Sequence, residues 1–243
     1  MVLQPHLKIS KDDINKNVIL PGDPARVLRI IKHLKSVKKV SENRGYLIYN
    51  GAYEGVPITV CSTGMGGPSI AIAIHELVNC GAKLLIRVGS CGALQVNQEI
   101  SELVIPSQAV REDGVTRLYV NDCIPAMPDK SVYNALIKSA DELGHKYYTG
   151  TSRSHDGFYQ KDNAKLEKFW SNAGLVASDF ETAPLFIISK CLGVKSGSVL
   201  NIISPYGKAI KGVAAYSLME NKAMQGELNS IIVALNAIKT LNK

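Results

Sequence analysis

Short apolar runs alternate with helical patterns along this chain. Val18–Leu20, Ile58–Ser62, Lys83–Val88, Leu103–Pro106 and Ser196–Ile203 are bounded by glycine, proline or polar clusters and predict strands. Between them Ile70, Ile74, Leu77 and Val78 recur at helical spacing, with Pro68 opening that helix and Gly81 ending it. Asp129 is placed to cap a helix running to about Leu143, with Gly144 as its stop. A short strand at Leu175–Ala177 leads into a helix that starts near Thr182. A last amphipathic helix, about Tyr216 to Leu241, carries Leu228, Ile231, Leu235 and Ile238 on its apolar face. Strand alternating with helix predicts an α/β fold whose sheet has a substantial parallel component. No repeat, low-complexity segment or linker interrupts it, so residues 1–243 read as one domain, long enough to bury a sizeable core.

Composition narrows the function classes. Hydrophobic residues at 46% and charged residues at 20% are ordinary for a globular protein and exclude a disordered chain. A formal charge of +7 raises the question of nucleic acid, but the lysines are scattered and no aromatics interleave with them to stack bases. The densest basic stretch, Lys32 to Lys39, alternates with apolar residues and reads as a solvated face. The balance suits an enzyme that attracts small anions. Five cysteines without a C-x-x-C pair predict reduced thiols and no zinc framework. Met1 to His6 lacks the apolar core of a signal peptide, and no apolar stretch is long enough to cross a bilayer, so a soluble, cytoplasmic protein without a membrane partner is expected.

The chemistry concentrates in arginine segments beside glycine turns: Gly22-Asp23-Pro24-Ala25-Arg26, Asn43-Arg44-Gly45 and Arg87-Val88-Gly89-Ser90-Cys91-Gly92. Arg26 and Arg87 each follow a strand-like run. There a guanidinium can offer its fork of donors to an oxyanion while glycines let backbone N–H groups approach the same ligand. Gly64-Met65-Gly66-Gly67-Pro68 also joins a strand to a helix, yet Ser69 stands where a dinucleotide loop needs its third glycine. That loop still offers backbone N–H groups to an anion at a helix N-terminus. Ser154-His155-Asp156 contains triad residue types, but adjacency in sequence is no triad. Cys91 lacks a nucleophile elbow and reads as a small buried thiol. Glu181, in Asp179-Phe180-Glu181, has two readings: favouring a helix N-terminus through the dipole, or accepting two hydrogen bonds from a vicinal diol such as a ribose. His6 alone reads as a surface residue.

Taken in order, PGDPAR (21–26), NRG (43–45), STGMGGPS (62–69), IRVGSCGA (86–93), FY (158–159) and DFE (179–181) closely resemble the nucleoside phosphorylase family, which includes uridine phosphorylases and hexameric purine nucleoside phosphorylases. The resemblance runs from His6-Leu7 to the C-terminal helix. It implies a single α/β domain with a twisted mixed sheet flanked by helices, in a hexamer built as a trimer of dimers. It implies phosphate contacts from Gly22, Arg26, Arg87 and Ser90, with Arg44 and His6 reaching into the neighbouring subunit's site. His6, Met65, Phe180 and Glu181 would hold the ribose, and Cys91, Gly92 and Phe158 would line the base. Arg87, Glu181 and Arg26 would carry the catalysis. Inorganic phosphate would be co-substrate, with no other cofactor and no catalytic metal.

The base is where the motifs depart from both branches. Purine enzymes of the family protonate the leaving base from an aspartate, whereas this chain has Pro205 in Ser204-Pro205-Tyr206. Uridine phosphorylases read uracil with a glutamine and arginines; here Gln160-Lys161-Asp162-Asn163 offers Gln160 and no arginine. Gly45 stands where some relatives carry a cation-binding glutamate. STGMGGPS, the His6-Leu7 start and Val110-Arg111-Glu112-Asp113-Gly114 resemble the uridine branch, so phosphorolysis of uridine is expected. The alternatives are a purine phosphorylase with atypical acid catalysis and a non-catalytic nucleoside-binding relative.

Overall fold

The computed structural model describes residues 3–207 and 213–242, the side chains of 213–219 excepted. Strand β1 (Asn17–Pro21) and helix α1 (Pro24–Ile30) precede a meander of β2 (Lys35–Asn43), β3 (Tyr46–Tyr53) and β4 (Val56–Cys61). Helix α2 (Gly67–Asn79) leads to β5 (Leu84–Ala93), β6 (Leu103–Glu112), α3 (Lys130–Glu142) and β7 (Tyr147–His155). The chain continues through α4 (Asn163–Asn172), β8 (Ala177–Asp179), α5 (Thr182–Cys191), β9 (Lys195–Ser204) and α6 (Val213–Leu241).

One sheet holds these strands in the order β2-β3-β4-β1-β5-β8-β7-β6-β9, and β9 also pairs with β5. That extra pairing closes β5, β8, β7, β6 and β9 into a ring. Small side chains of four of its strands, Cys91, Ala93, Val104, Ala177, Leu200 and Ile202, pack together inside it. Strand β5 lies parallel to both β1 and β9, and Leu84 to Val88 are buried throughout, as expected of a strand covered on both faces. Helices α2 and α5 cover one side with Ile70, Ile74, Leu77, Leu185 and Ile188; α1, α3 and α6 cover the other. No helix among the described residues is long and apolar enough to cross a membrane.

Local signals place the helices. Asp129 accepts from the Ser131 and Val132 N–H groups at the start of α3, a cap worth about 1 kcal/mol. Gly144 lies just beyond that helix, as expected. The Lys32–Lys39 stretch is a solvated face, as expected, made of a 3₁₀ turn (Ile31–His33) followed by β2, an edge strand whose lysines guard its free side. Two expectations need correction. The strand expected at Leu175–Ala177 forms two residues later, at Ala177–Asp179, where its register with β7 starts at Ser152 and Ala177. On α6, Leu228 is 38% exposed and Glu227, one position earlier, is buried beside Ser230, Ile231 and Leu235. The apolar stripe therefore carries a carboxylate at its top.

Candidate functional site

The C-terminal end of β1 and the second half of β5 bring the first cluster together. Asp23 caps α1 by accepting from the Ala25 N–H, which turns Arg26 inward. Arg26 is buried, and each of its three nitrogens makes one hydrogen bond. It donates to Glu227 Oε2 at 2.8 Å, to the Val88 carbonyl at 3.0 Å and to Ser90 Oγ at 2.7 Å. Arg29 pairs with both Glu227 and Asp23. Burial lowers the Arg26 pKa first, with repulsion from Arg87 and Arg29 adding to it, and Glu227 opposes both. Gly22 sits at the lip of this cluster, where a Cβ would meet the Gly64 carbonyl oxygen at 3.0 Å, so a side chain there would push the two loops apart.

Arg87, on β5, folds over Gly89, where a Cβ would lie 2.6 Å from its guanidinium carbon. It donates from Nε to Asp179 Oδ2 at 3.1 Å and forms an ion pair through Nη2 with Glu181 Oε2 at 2.5 Å, while Nη1 makes no hydrogen bond among the described residues. Burial alone would lower the Arg87 pKa, but Glu181 and Asp179 outweigh it and hold the guanidinium charged. Burial pushes the Glu181 carboxyl up, Arg87 draws it back down, and Asp179 adds to the rise. The other oxygen of Glu181 accepts from the Gly66 N–H at 2.6 Å. The glycine loop before α2 thus turns an N–H group to an anion, and here that anion is a carboxylate of the same chain. Gly66 can do this because its φ of +87° is open to glycine.

Glu181 is the N-cap residue of α5 but makes no side-chain cap bond. Asp179 does that work, accepting from the Thr182 N–H, Thr182 Oγ1 at 2.6 Å and Ser154 Oγ at 2.7 Å. Glu181 is left to bridge Gly66 and Arg87. Ser154, His155 and Asp156 diverge as expected: Ser154 binds Asp179, Asp156 accepts from the Gly114 N–H, and His155 lies against Phe180. Cys91 is buried, and burial pushes its thiol well above the ordinary range, so it is inert. Residues 110–114 prove structural: Arg111 clasps the carbonyls of Val120, Asn121 and Ile124, and Asp113 caps the 3₁₀ turn at Thr116.

Phe158, Tyr159, Phe180 and His155 form a cluster of ring contacts. Phe158 is 66% exposed with its ring 6.2 Å from that of Phe180, and Met65 is 84% exposed on the loop above Glu181. Gln160 folds back over Gly157 and places Nε2 3.1 Å from His155 Nδ1. Gly92 pairs with Ser178 across β5 and β8. His6 and Arg44 are not brought to this cluster, and no hydrogen bond or ion pair joins them to Arg26, Arg87, Ser90 or Glu181. They lie beside each other instead: Asn43 Nδ2 donates to the His6 carbonyl at 2.7 Å, and Glu76 on α2 accepts from the His6 and Leu7 N–H groups and from His6 Nδ1. Arg44 is exposed in the β2–β3 turn, three strand spacings, about 14 Å, from β5. Glu227, Asp179, Glu76 and His155 were not singled out as site residues from sequence. Glu227 left a signal in its helical spacing to Ile231 and Leu235. No group of three or more metal-ligating side chains occurs among the described residues.

A protein-family profile described as "Phosphorylase superfamily" matches residues 16–239. A guanosine phosphorylase from Halorubrum lacusprofundi is 33% identical over 99% of this chain and 100% of its own length. A uridine phosphorylase from Thermococcus kodakarensis is 35% identical over 98% of this chain and 87% of its own. The solved uridine phosphorylase of Vibrio fischeri ES114, in complex with 6-hydroxy-1-naphthoic acid, superposes with a TM-score of 0.95 at 36% identity, covering 99% of this chain and 98% of that one.

Proposed function

Because the chain belongs to the phosphorylase superfamily, we propose that it cleaves the N-glycosidic bond of a nucleoside with inorganic phosphate, giving the free base and ribose 1-phosphate. One observation carries this reading. Arg87 is buried between Asp179 and Glu181 with Nη1 uncommitted, and Arg26 with Ser90 stands on the adjoining backbone. Phosphate binds between these arginines, Ser90 and the Gly22 backbone. Its dianion relieves the repulsion between Arg26 and Arg87 and takes charge-assisted hydrogen bonds worth about 1.5–3 kcal/mol each.

The ribose hydroxyls take the place of one partner of Glu181, whose two oxygens are held by the Gly66 N–H and by Arg87. Phosphate oxygen then attacks C1′ as the C1′–N bond breaks. The bond's electron pair leaves with the base, and the phosphate's negative charge offsets the positive charge growing on the sugar. Met65 and Phe180 pack on the sugar, and Phe158 with the Cys91-Gly92 backbone bounds the base. Uridine is the first choice of substrate. Uracil leaves as a delocalised anion held by neutral donors, whereas a purine needs an acid that Pro205 cannot supply. A panel of uridine, thymidine, inosine, guanosine and adenosine, with and without phosphate, tests this. We expect phosphate-dependent release with uridine fastest; faster release from inosine or adenosine overturns the choice of base.

The active unit is a homodimer, assembled further into a hexamer, in which His6 and Arg44 complete the partner's site. Their shared edge, anchored by Glu76 and Asn43, and the exposed Arg44, which has no ion pair among the described residues, support this. Mixing Arg44→Ala with Arg87→Ala protein should therefore restore activity, since a mixed dimer holds one site with both arginines. No recovery after demonstrated subunit exchange would sink the shared site.

A further inference from the structure

The sheet has a second charged end, opposite the one that carries the arginines. Strands β1, β5 and β9 are neighbours, run parallel and all start there. A lysine stands at each start: Lys16 precedes β1, Lys83 precedes β5 and Lys195 opens β9. Backbone bonds tie the three in a row. The Lys83 N–H donates to the Lys16 carbonyl at 2.8 Å, and the Lys195 N–H to the Lys83 carbonyl at 3.0 Å. A cavity of about 320 Å³ opens here, walled by Lys83, Lys195, Asn17, Asn242, Leu84 and Leu241. That volume falls at the lower end of the range that holds small organic ligands. Its amides are held in place. Asn17, 8% exposed, donates from Nδ2 to the Pro57 carbonyl at 3.1 Å and exchanges amide hydrogen bonds with Asn242 at 3.3 and 3.4 Å. Asn242 Nδ2 also donates to the Ile238 carbonyl at 2.7 Å.

The positive charge at this end is not balanced. No carboxylate walls the cavity, and none of the three lysines has an ion pair among the described residues. Lys195 Nζ donates to Ser131 Oγ at 3.1 Å, a neutral partner. Asp129 lies close enough to feel the Lys195 charge, but its Oδ1 is committed to the Ser131 and Val132 N–H groups. Lysines also suit helix C-termini, and α5 and α6 end here, since Gly193 and Leu241 both touch the cavity. A helix end carries only about half a negative charge, so two of them leave the lysine row in excess by about two charges.

We propose that this cavity binds a small organic phosphate, a phosphomonoester whose dianionic group sits between Lys83 and Lys195 and whose carbon frame lies on Leu84 and Leu241. Two ammonium groups match a dianion, and the apolar walls favour an organic body over bare phosphate. The cavity is separate from the arginine cluster, because Asn17 and Gly22 lie at opposite ends of β1, roughly 16 Å apart. Its occupancy does not depend on phosphorolysis at the other end of the sheet.

Calorimetric titration of the whole protein with ribose 5-phosphate, and separately with inorganic phosphate, tests this. Ribose 5-phosphate should occupy one site per chain that survives Arg87→Lys. Lys83→Ala and Lys195→Ala should each weaken that site by about 10-fold or more, the scale of one charge-assisted hydrogen bond. Both lysines are exposed, so these variants keep the fold, and Lys83→Arg, which keeps the charge, should keep the binding. Inorganic phosphate should bind this site more weakly than ribose 5-phosphate. A titration that is lost in Arg87→Lys and untouched in both alanine variants puts the ligand in the arginine cluster and overturns the proposal. So does inorganic phosphate binding there as tightly as ribose 5-phosphate, or no binding of ribose 5-phosphate to wild type at millimolar concentration.

Discussion

Arg87→Ala is expected to lower kcat/KM for phosphate by about 10- to 150-fold, the equivalent of one lost charge-assisted interaction. It should also destabilise the fold. Arg87 lies between two buried carboxylates, and its removal leaves Asp179 and Glu181 facing each other without a cation. Breaking a buried pair in this way costs about 3–5 kcal/mol. The two effects are separable, because Arg87→Lys keeps the charge but loses the fork that spans Asp179 and Glu181. Lysine should recover most of the stability and little of the phosphate dependence. Thermal unfolding and a phosphate titration of both variants check this. An alanine variant with unchanged Tm and unchanged KM for phosphate would remove Arg87 from the centre of the site.

The second large effect should come from a residue distant in sequence from every recognisable motif. Glu227 receives Arg26 and Arg29, and its carboxylate is buried under the first turn of α1. Glu227→Ala should destabilise by about 3–5 kcal/mol, since two guanidinium groups lose their shared partner and one of them is buried. Glu227→Gln keeps the shape and some hydrogen bonding, so its stability loss should be smaller. Its KM for phosphate should still rise, because Arg26 would no longer be fixed against Val88 and Ser90. Equilibrium denaturation gives the first quantity and steady-state kinetics the second. If both variants match the parent, Glu227 is no support for Arg26.

How much of this was readable beforehand follows from which interactions are local. The α3 cap at Asp129, the glycine stops and the apolar runs of β1, β4, β5, β6 and β9 depend on neighbours in sequence, and all were legible. β2 was hidden because an edge strand buries almost nothing, so its lysine-rich pattern matches a loop as well as a strand. β3 and β7 carry mixed patterns for a related reason: their burial is set by strands and helices far along the chain. Within the site, Arg26, Arg87, Ser90 and Glu181 were marked by glycine turns and strand ends. Their pairing with Glu227 and Asp179 was not, because those carboxylates meet the arginines across separations of 201 and 92 residues. The His155–Gln160 contact is local, only 5 residues apart, yet invisible until Gly157 lets the chain double back.

The central claim is that phosphate, and not water, accepts the sugar. The most direct measurement is the product formed when the protein is incubated with uridine and inorganic phosphate. Uracil and ribose 1-phosphate should appear in equal amounts, with no uracil released when phosphate is left out. Free ribose, or release of base that does not depend on phosphate, would contradict the account.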